Sequence, residues 1–244
     1  MRVVRFVVAA IALASSGCAH HETPREHAIL RVVRGDLRGG TRELEALRDE
    51  NPKSPQAWID LGHAYELAHR YEDALAAYDS AAEVAPKLPD GPREGGLRAA
   101  AWGEYEAAKP RLEEAIARGD QVIDTYHALG LVDLHLGDRA AAKKAYLAGL
   151  AQPGGDHDAT CVLGLATLAV VEEDAGEALR WYDELAQRRP NLAGAQFGRA
   201  WALTKLRKLD DASAALDAAT ALGGRPEDVE KMRKWIAEER AHGG

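Results

Sequence analysis

With 244 residues, a formal net charge of −8 and no long block of like charge, the chain lacks the basic footprint of a nucleic-acid binder. Apolar residues make up 46%, yet only two are Phe and seven are Tyr, and Ala and Leu carry most of the remainder. Both are strong helix formers, and β-branched runs are confined to the first 33 residues, so an all-α chain of one or two domains is expected.

The first element is an address. MRVVRFVVAAIALASSGCAH opens with Arg2 and Arg5, continues through an apolar run from Phe6 to Ala14, and closes on Ser15, Ser16 and Gly17 before Cys18. A basic start, a short apolar core and a small-residue exit are the three parts of a secretory signal. The apolar run is too short to remain as a transmembrane helix. A cysteine placed directly after small residues resembles the lipobox of bacterial lipoproteins, with Ser15 standing where Leu is favoured. The resemblance implies that residues 1–17 are a cleaved signal peptide, that Cys18 is lipidated, and that residues 18–25 form a short tether. Several acyl chains give lasting membrane attachment, whereas one holds only weakly. Ala19, where an Asp commonly retains a Gram-negative lipoprotein at the inner membrane, implies the outer membrane, facing the periplasm. An ordinary secreted, periplasmic protein cut near the same point is the alternative.

From residue 26 onward the pattern is periodic. In AWIDLGHAYELAHRYEDALAAYDSAAEVAP, residues 57–86, Trp58, Leu61, Gly62 and Tyr65 share one face of a first helix. Ala74, Tyr78 and Ala81 do the same for a second helix, Ala68-His69-Arg70 forms the joint, and Pro86 stops the second helix. Gly62 and Ala74 are small where two helices must approach closely, and Tyr78 fills the space beside them. The next copy has Gly96, Ala108, Leu112 and Ala115 with a joint at Gly103. A third has Tyr126, Leu129, Gly130, the joint LGDRAAA, Tyr146 and Gly149. A fourth needs two extra residues near His157, then offers Leu165, Ala166, Ala178, Tyr182, Leu185 and Pro190. A fifth gives Ala200, Leu203, Ala212, Leu216 and Ala219. Upstream, VVRGDLRGGTRELEALRDENP reads as a degenerate copy with a joint at Gly35-Asp36, a short first helix and a Gly39-Gly40 pair unfavourable in a helix. Downstream, RPEDVEKMRKWIAEERA reads as a final helix that starts at Pro226, with Glu227 and Asp228 at the positive end of its dipole. Met232, Trp235 and Ile236 would cover the last repeat.

Helix pairs of this size, spacing and small-residue pattern resemble the tetratricopeptide repeat (TPR), whose period is about 34 residues. The resemblance spans residues 26 to 241. It implies an all-α, right-handed α-solenoid of five to six TPR helix pairs with a C-terminal capping helix. The units are a degenerate repeat at 26–54, repeats at 55–88, 89–122, 123–156, 159–192 and 193–226, and the cap at 227–241.

In that family the first helix of each pair faces an inner groove. Reading two groove positions from each repeat gives Ile59 and His63, Arg93 and Leu97, His127 and Leu131, Leu163 and Thr167, then Phe197 and Trp201. These lack the Lys, Asn and Arg set with which family members clamp a C-terminal carboxylate, a ligand that needs such donors. Leu131, Leu163, Phe197 and Trp201 would instead form an apolar stripe for a protein partner, with the aromatic pair as anchors. Apolar helical stripes are core by default, so core filling stands as the second reading of each residue.

Chemistry is sparse. His20-His21, Asp156-His157-Asp158 and the spaced His127 and His135 offer no convergent ligand set, and no metal or cofactor is expected. Cys161 lies in a first helix and reads as a small buried apolar residue, and no nucleophile sits in a motif with a base. The chain is expected to be no enzyme. Its size, anchor and repeat number resemble the pilotins of type IV pilus secretins, which implies a scaffold for pilus assembly and motility. Alternatives are a helper of outer-membrane β-barrel insertion or of cell-wall enzyme complexes, or a binder of a small hydrophobic ligand such as a lipid.

Overall fold

A computed structural model describes residues 22–242; the signal segment, Cys18 and the start of the tether lie outside them. Thirteen α-helices and no strand occur among the described residues. In chain order they are α1 (Pro24–Val33), α2 (Leu37–Glu50), α3 (Pro55–Leu67), α4 (Tyr71–Val84), α5 (Asp90–Trp102), α6 (Tyr105–Ala117), α7 (Ile123–His135), α8 (Arg139–Leu150), α9 (Thr160–Val171), α10 (Ala175–Arg188), α11 (Ala193–Lys205), α12 (Leu209–Ala221) and α13 (Pro226–Ala241). They form two compact units that divide at Ala99–Ala100, within α5.

Local signals start and stop the helices. Thr23 and Glu26 make a reciprocal capping box on α1, and Ser54 caps α3 ahead of Pro55. Asp138 and Asp174 accept from Ala141 N and Glu177 N at the starts of α8 and α10. The joint inside each pair turns on one left-handed residue. Gly35, His69, Gly103, Gly137, Glu173 and Arg207 all have φ between 57° and 99°. The repeat period is thus written into the backbone, with a longer step only where the chain carries its insertion.

In the N-terminal unit, α1 packs on α2, α2 on α3, and α3 on α4. Ala28, Val32, Leu44, Leu61 and Ala64 form the core, with Trp58 and Tyr65 packed against it. Trp58 donates its indole N–H to Pro52 O at 2.8 Å, so the half-buried ring keeps its polar atom paired. Gly40 is buried, and a Cβ there would lie 2.8 Å from Ala28 O. The Gly39-Gly40 pair, expected to weaken this copy, instead supplies the close approach that lets α1 nest on α2.

In the C-terminal unit, consecutive helices from α6 to α13 pack on one another, and α7 also touches α9. Tyrosines lock the nesting. The Tyr146 ring is fully buried, and a Cβ at Gly130 or at Gly164 would lie 2.4 or 2.6 Å from its Cε1. Tyr182 plays the same part beside Gly198, at 2.3 Å, and in the other unit Tyr78 does so beside Gly62, at 2.6 Å. Each glycine removes the one carbon that would collide with the ring, so dense packing is reached without strain. Val229, Met232 and Ile236 of α13 close over Leu203, Ala212 and Leu216, with Trp235 packed at the edge. The last pair is therefore capped by apolar side chains while the charged face of α13 meets water.

The insertion lies between α8 and α9. Residues 151–159 connect these helices, against 118–122 between α6 and α7. Arg188 of α10 holds this loop by donating to Gly155 O at 2.7 Å and to Asp158 O. Asp158 in turn accepts from Cys161 N at 2.8 Å at the start of α9. Cys161 is fully buried, and burial pushes its thiol up to about 12, so it packs as an apolar residue and carries no thiolate.

Candidate functional site

Each unit presents the first helices of its pairs with a different chemistry. In the N-terminal unit, Ile59 is 7% exposed and belongs to the core rather than to an open face. His63 Nε2 lies 3.3 Å from Glu94 Oε2. Arg98 donates to the same carboxylate at 3.2 Å and lies 3.1 Å from Glu66. Arg93 pairs with Asp90 at 2.5 Å and lies 3.8 Å from Glu94. Burial pushes the Glu94 carboxyl up, but the His63 hydrogen bond and the charges of His63, Arg98 and Arg93 outweigh it, so it stays below the usual carboxylate range. Of the four groove candidates at this mixed end, Ile59 lies in the core, His63 and Arg93 belong to an ion network around Glu94, and Leu97 is half-buried.

Sequence reasoning missed the buried carboxylates, Asp60 and Asp133 among them. Asp60 is 7% exposed and accepts from Arg25 Nη2 at 2.9 Å and Gln56 Nε2 at 2.8 Å. Asp133 is 2% exposed and is held by Lys109 Nζ at 2.6 Å. Both look like solvated helix charges in the sequence. Only the neighbouring helix, brought in by the fold, shows that each is buried and paired.

In the C-terminal unit, α7 and α9 each bear an exposed leucine. Leu131 is 38% exposed and Leu163 43% exposed. Thr167, one turn beyond Leu163, is exposed and donates its hydroxyl to Leu163 O at 2.9 Å. Val171 also stands exposed at the end of α9. His127, one turn before Leu131, is half-buried against Tyr146, with ring centroids 6.0 Å apart. Burial lowers its pKa despite the opposing charges of Asp158 and Asp124, so the imidazole is neutral near pH 7.

The expected aromatic anchors are more enclosed. Phe197 and Trp201 are half-buried and pack on the core of Ala200, Leu203, Met232 and Ile236. Trp201 also covers Ala169 and Ala202. Through that cluster α9, α10 and α11 are neighbours; on the successive first helices Leu131 stands at the turn equivalent to Thr167 and Trp201, and Leu163 at the turn equivalent to His127 and Phe197.

His135 stacks on Tyr105 with centroids 4.2 Å apart, away from His127. Among the described residues no group of three or more His, Cys, Asp or Glu could hold a metal ion. An open cavity of about 720 Å³ beside the insertion is lined by Asp156, His157, Arg180, Asp183 and Arg188, a mixed-charge surface unsuited to an apolar ligand.

The chain has no match among curated proteins. The tetratricopeptide repeat family matches residues 25–92. The fold is a tetratricopeptide-repeat fold. The TPR match includes the upstream copy, in agreement with the Gly40 nesting described above. Solved structures extend the likeness of fold over the rest. The C-terminal part of a TPR protein from Cytophaga hutchinsonii is 15% identical, with 95% of this chain and 93% of that one covered and a TM-score of 0.73. YrrB, a TPR protein with an unusual peptide-binding site, is 19% identical, with 78% and 97% covered and a TM-score of 0.67. PilW, a type IV pilus biogenesis factor, is 15% identical, with 85% and 96% covered and a TM-score of 0.65.

Proposed function

We propose that the protein is a non-catalytic scaffold, anchored in the outer membrane through lipid on Cys18 and facing the periplasm. In this reading it captures an apolar segment of an envelope protein on the α7–α9 face. Two leucines standing more than a third exposed on the neighbouring first helices α7 and α9 carry the proposal. Exposed apolar residues on neighbouring helices of a packed scaffold present a contact surface to a partner. Secretin assembly for a type IV pilus is the most specific form of the reading, supported by the likeness to PilW and by the lipobox-like start.

The test is capture of secretin from envelope extracts by the full chain and by a Leu131→Asp/Leu163→Asp variant. The proposal expects capture by the first and at least tenfold less by the second, with unchanged helical circular dichroism. Equal capture by both removes this face from the function. Absence of secretin from every capture, in cells that possess one, ends the pilus version. Metabolic labelling with a fatty acid, against Cys18→Ala, tests the anchor separately.

A further inference from the structure

Three arginines gather in the N-terminal unit, two of them without a hydrogen bond or ion pair among the described residues. A cavity of about 370 Å³ in the N-terminal unit lies between α2 and the joint that follows α3, lined by Arg38, Thr41, Arg42, Glu45 and Arg70. Arg38 and Arg42 are exposed, and neither has a hydrogen bond or ion pair among the described residues. They sit four apart on α2, where like charges repel. They also lie near its N-terminus, whose first turn holds no acidic residue and whose dipole disfavours cations.

The nearby carboxylates are committed elsewhere. Asp36 caps Gly39 N and binds Arg31, and Glu45 accepts from the Tyr65 hydroxyl at 2.9 Å. Arg70 stacks over the Tyr65 ring at 4.2 Å and gives Asp73 one bond at 2.6 Å, which leaves further N–H donors of its fork unused. Thr41, 6% exposed, also borders the cavity, and its buried Oγ1 has no hydrogen-bond partner among the described residues. A buried polar group left unmatched is unfavourable unless something else bonds it.

We infer that this cavity is an oxyanion site that takes a phosphate group between Arg38, Arg42 and Arg70. Guanidinium forks match phosphate oxygens two at a time, and an anion converts the repulsion of Arg38 and Arg42 into attraction. The cavity is larger than a single ion requires, so both a free phosphate and the phosphate of an anionic lipid headgroup fit the same chemistry. The site is remote from Leu131 and Leu163 in the chain and independent of the partner face.

The experiment uses the full chain carrying Cys18→Ala, so that no acyl group holds it to a membrane. Thermal unfolding is measured in sodium phosphate against sodium chloride at matched ionic strength. Sedimentation is measured with vesicles of phosphatidylglycerol in phosphatidylcholine against phosphatidylcholine alone. The variants are Arg38→Gln/Arg42→Gln and Thr41→Val, with Arg139→Gln/Arg225→Gln as a control that removes two charges elsewhere. A rise in Tm of a few degrees in phosphate, lost in the Arg38→Gln/Arg42→Gln variant and kept in the control, establishes the site with free phosphate as ligand. No rise, but sedimentation with phosphatidylglycerol that the same variant loses and the control keeps, establishes it with a lipid headgroup. Neither response in the unsubstituted chain, or equal responses in the variant, or an equal loss in the control, overturns the inference. Thr41→Val raises Tm in chloride and shrinks the phosphate response if its hydroxyl serves the ligand; an undiminished response with phosphate excludes the hydroxyl from the site.

Discussion

The six left-handed joints give a reciprocal pair of substitutions whose signs are fixed by backbone geometry. Glu173 holds φ at 57° between α9 and α10, while Gly137 holds φ at 85° at the equivalent joint between α7 and α8. A non-glycine residue in this conformation is strained by about 1–2 kcal/mol. Glycine removes the strain but adds about 0.4–1 kcal/mol of unfolded-chain freedom. Glu173 is 79% exposed on its side chain and lies 3.7 Å from Lys205, an exposed pair worth no more than a few tenths of a kcal/mol. Glu173→Gly therefore gains about 0.5 kcal/mol net, while Gly137→Ala loses about 1 kcal/mol because alanine inherits the strain. For a chain of this size these correspond to Tm shifts of about +1 to +2 °C and −2 to −4 °C. Urea unfolding followed by circular dichroism reads the same differences as midpoint shifts. If Glu173→Gly lowers the midpoint while Gly137→Ala leaves it unchanged, the joints are not held left-handed in solution and the reasoning fails.

Further outcomes follow from the buried groups. Tyr146 is fully buried and its hydroxyl has no hydrogen-bond partner among the described residues, so Tyr146→Phe is expected to leave stability unchanged or raise it by about 1 kcal/mol, read by urea midpoint. Trp201 covers the core beneath α11 and α13, so Trp201→Ala is expected to cost about 2–3 kcal/mol, with a visible fall in Tm; unchanged Tm would return it to an open binding face. His127 has a pKa lowered by burial, so the unfolded chain binds its proton first as pH falls and this part of the stability is lost below about pH 6.5. His127→Gln is expected to flatten the stability-versus-pH slope between about pH 7 and 5, and an unaltered slope would contradict the burial argument.

Much of this fold is legible in the sequence because its signals are local. The offsets of Gly62, Tyr78, Gly130 and Tyr146 mark where helices nest, and Gly35, Gly103 and Gly137 mark joints. His69, Glu173 and Arg207 do the same work without a glycine, so only the period exposes them. Two packing glycines were passed over for a physical reason. Matching copies by equivalent position in their own pair points to Ala166 and Ala200, whereas Tyr146 and Tyr182 also reach forward into the next repeat and meet Gly164 and Gly198. The site was less legible. Periodicity places a residue on a face but does not say how deeply its neighbours cover it, so Ile59 turns out enclosed while Leu131 stays open. The pairing of Asp60 with Arg25 joins separate helices and leaves no mark in either one's pattern.

The open leucines and the locking glycines are neighbours in sequence, and this couples stability to recognition. Leu131 follows Gly130, and Leu163 precedes Gly164. Both glycines press on the one Tyr146 ring, so the ring sets the distance between the two helices that display the leucines. At Gly164 an added Cβ would lie 2.6 Å from Tyr146 Cε1, and relief to ordinary contact needs a shift of about 1 Å between α9 and the ring. Overpacking of this kind costs about 1–3 kcal/mol. Gly164→Ala is therefore expected to lower the urea midpoint and also to weaken capture of a partner that spans both leucines, although Gly164 itself is buried and touches no partner. Tyr146→Leu in the same chain opens room for the new methyl and is expected to restore part of both losses. If Gly164→Ala weakens stability while capture is untouched, the partner reads one leucine at a time, and the spacing held by Tyr146 serves the fold alone.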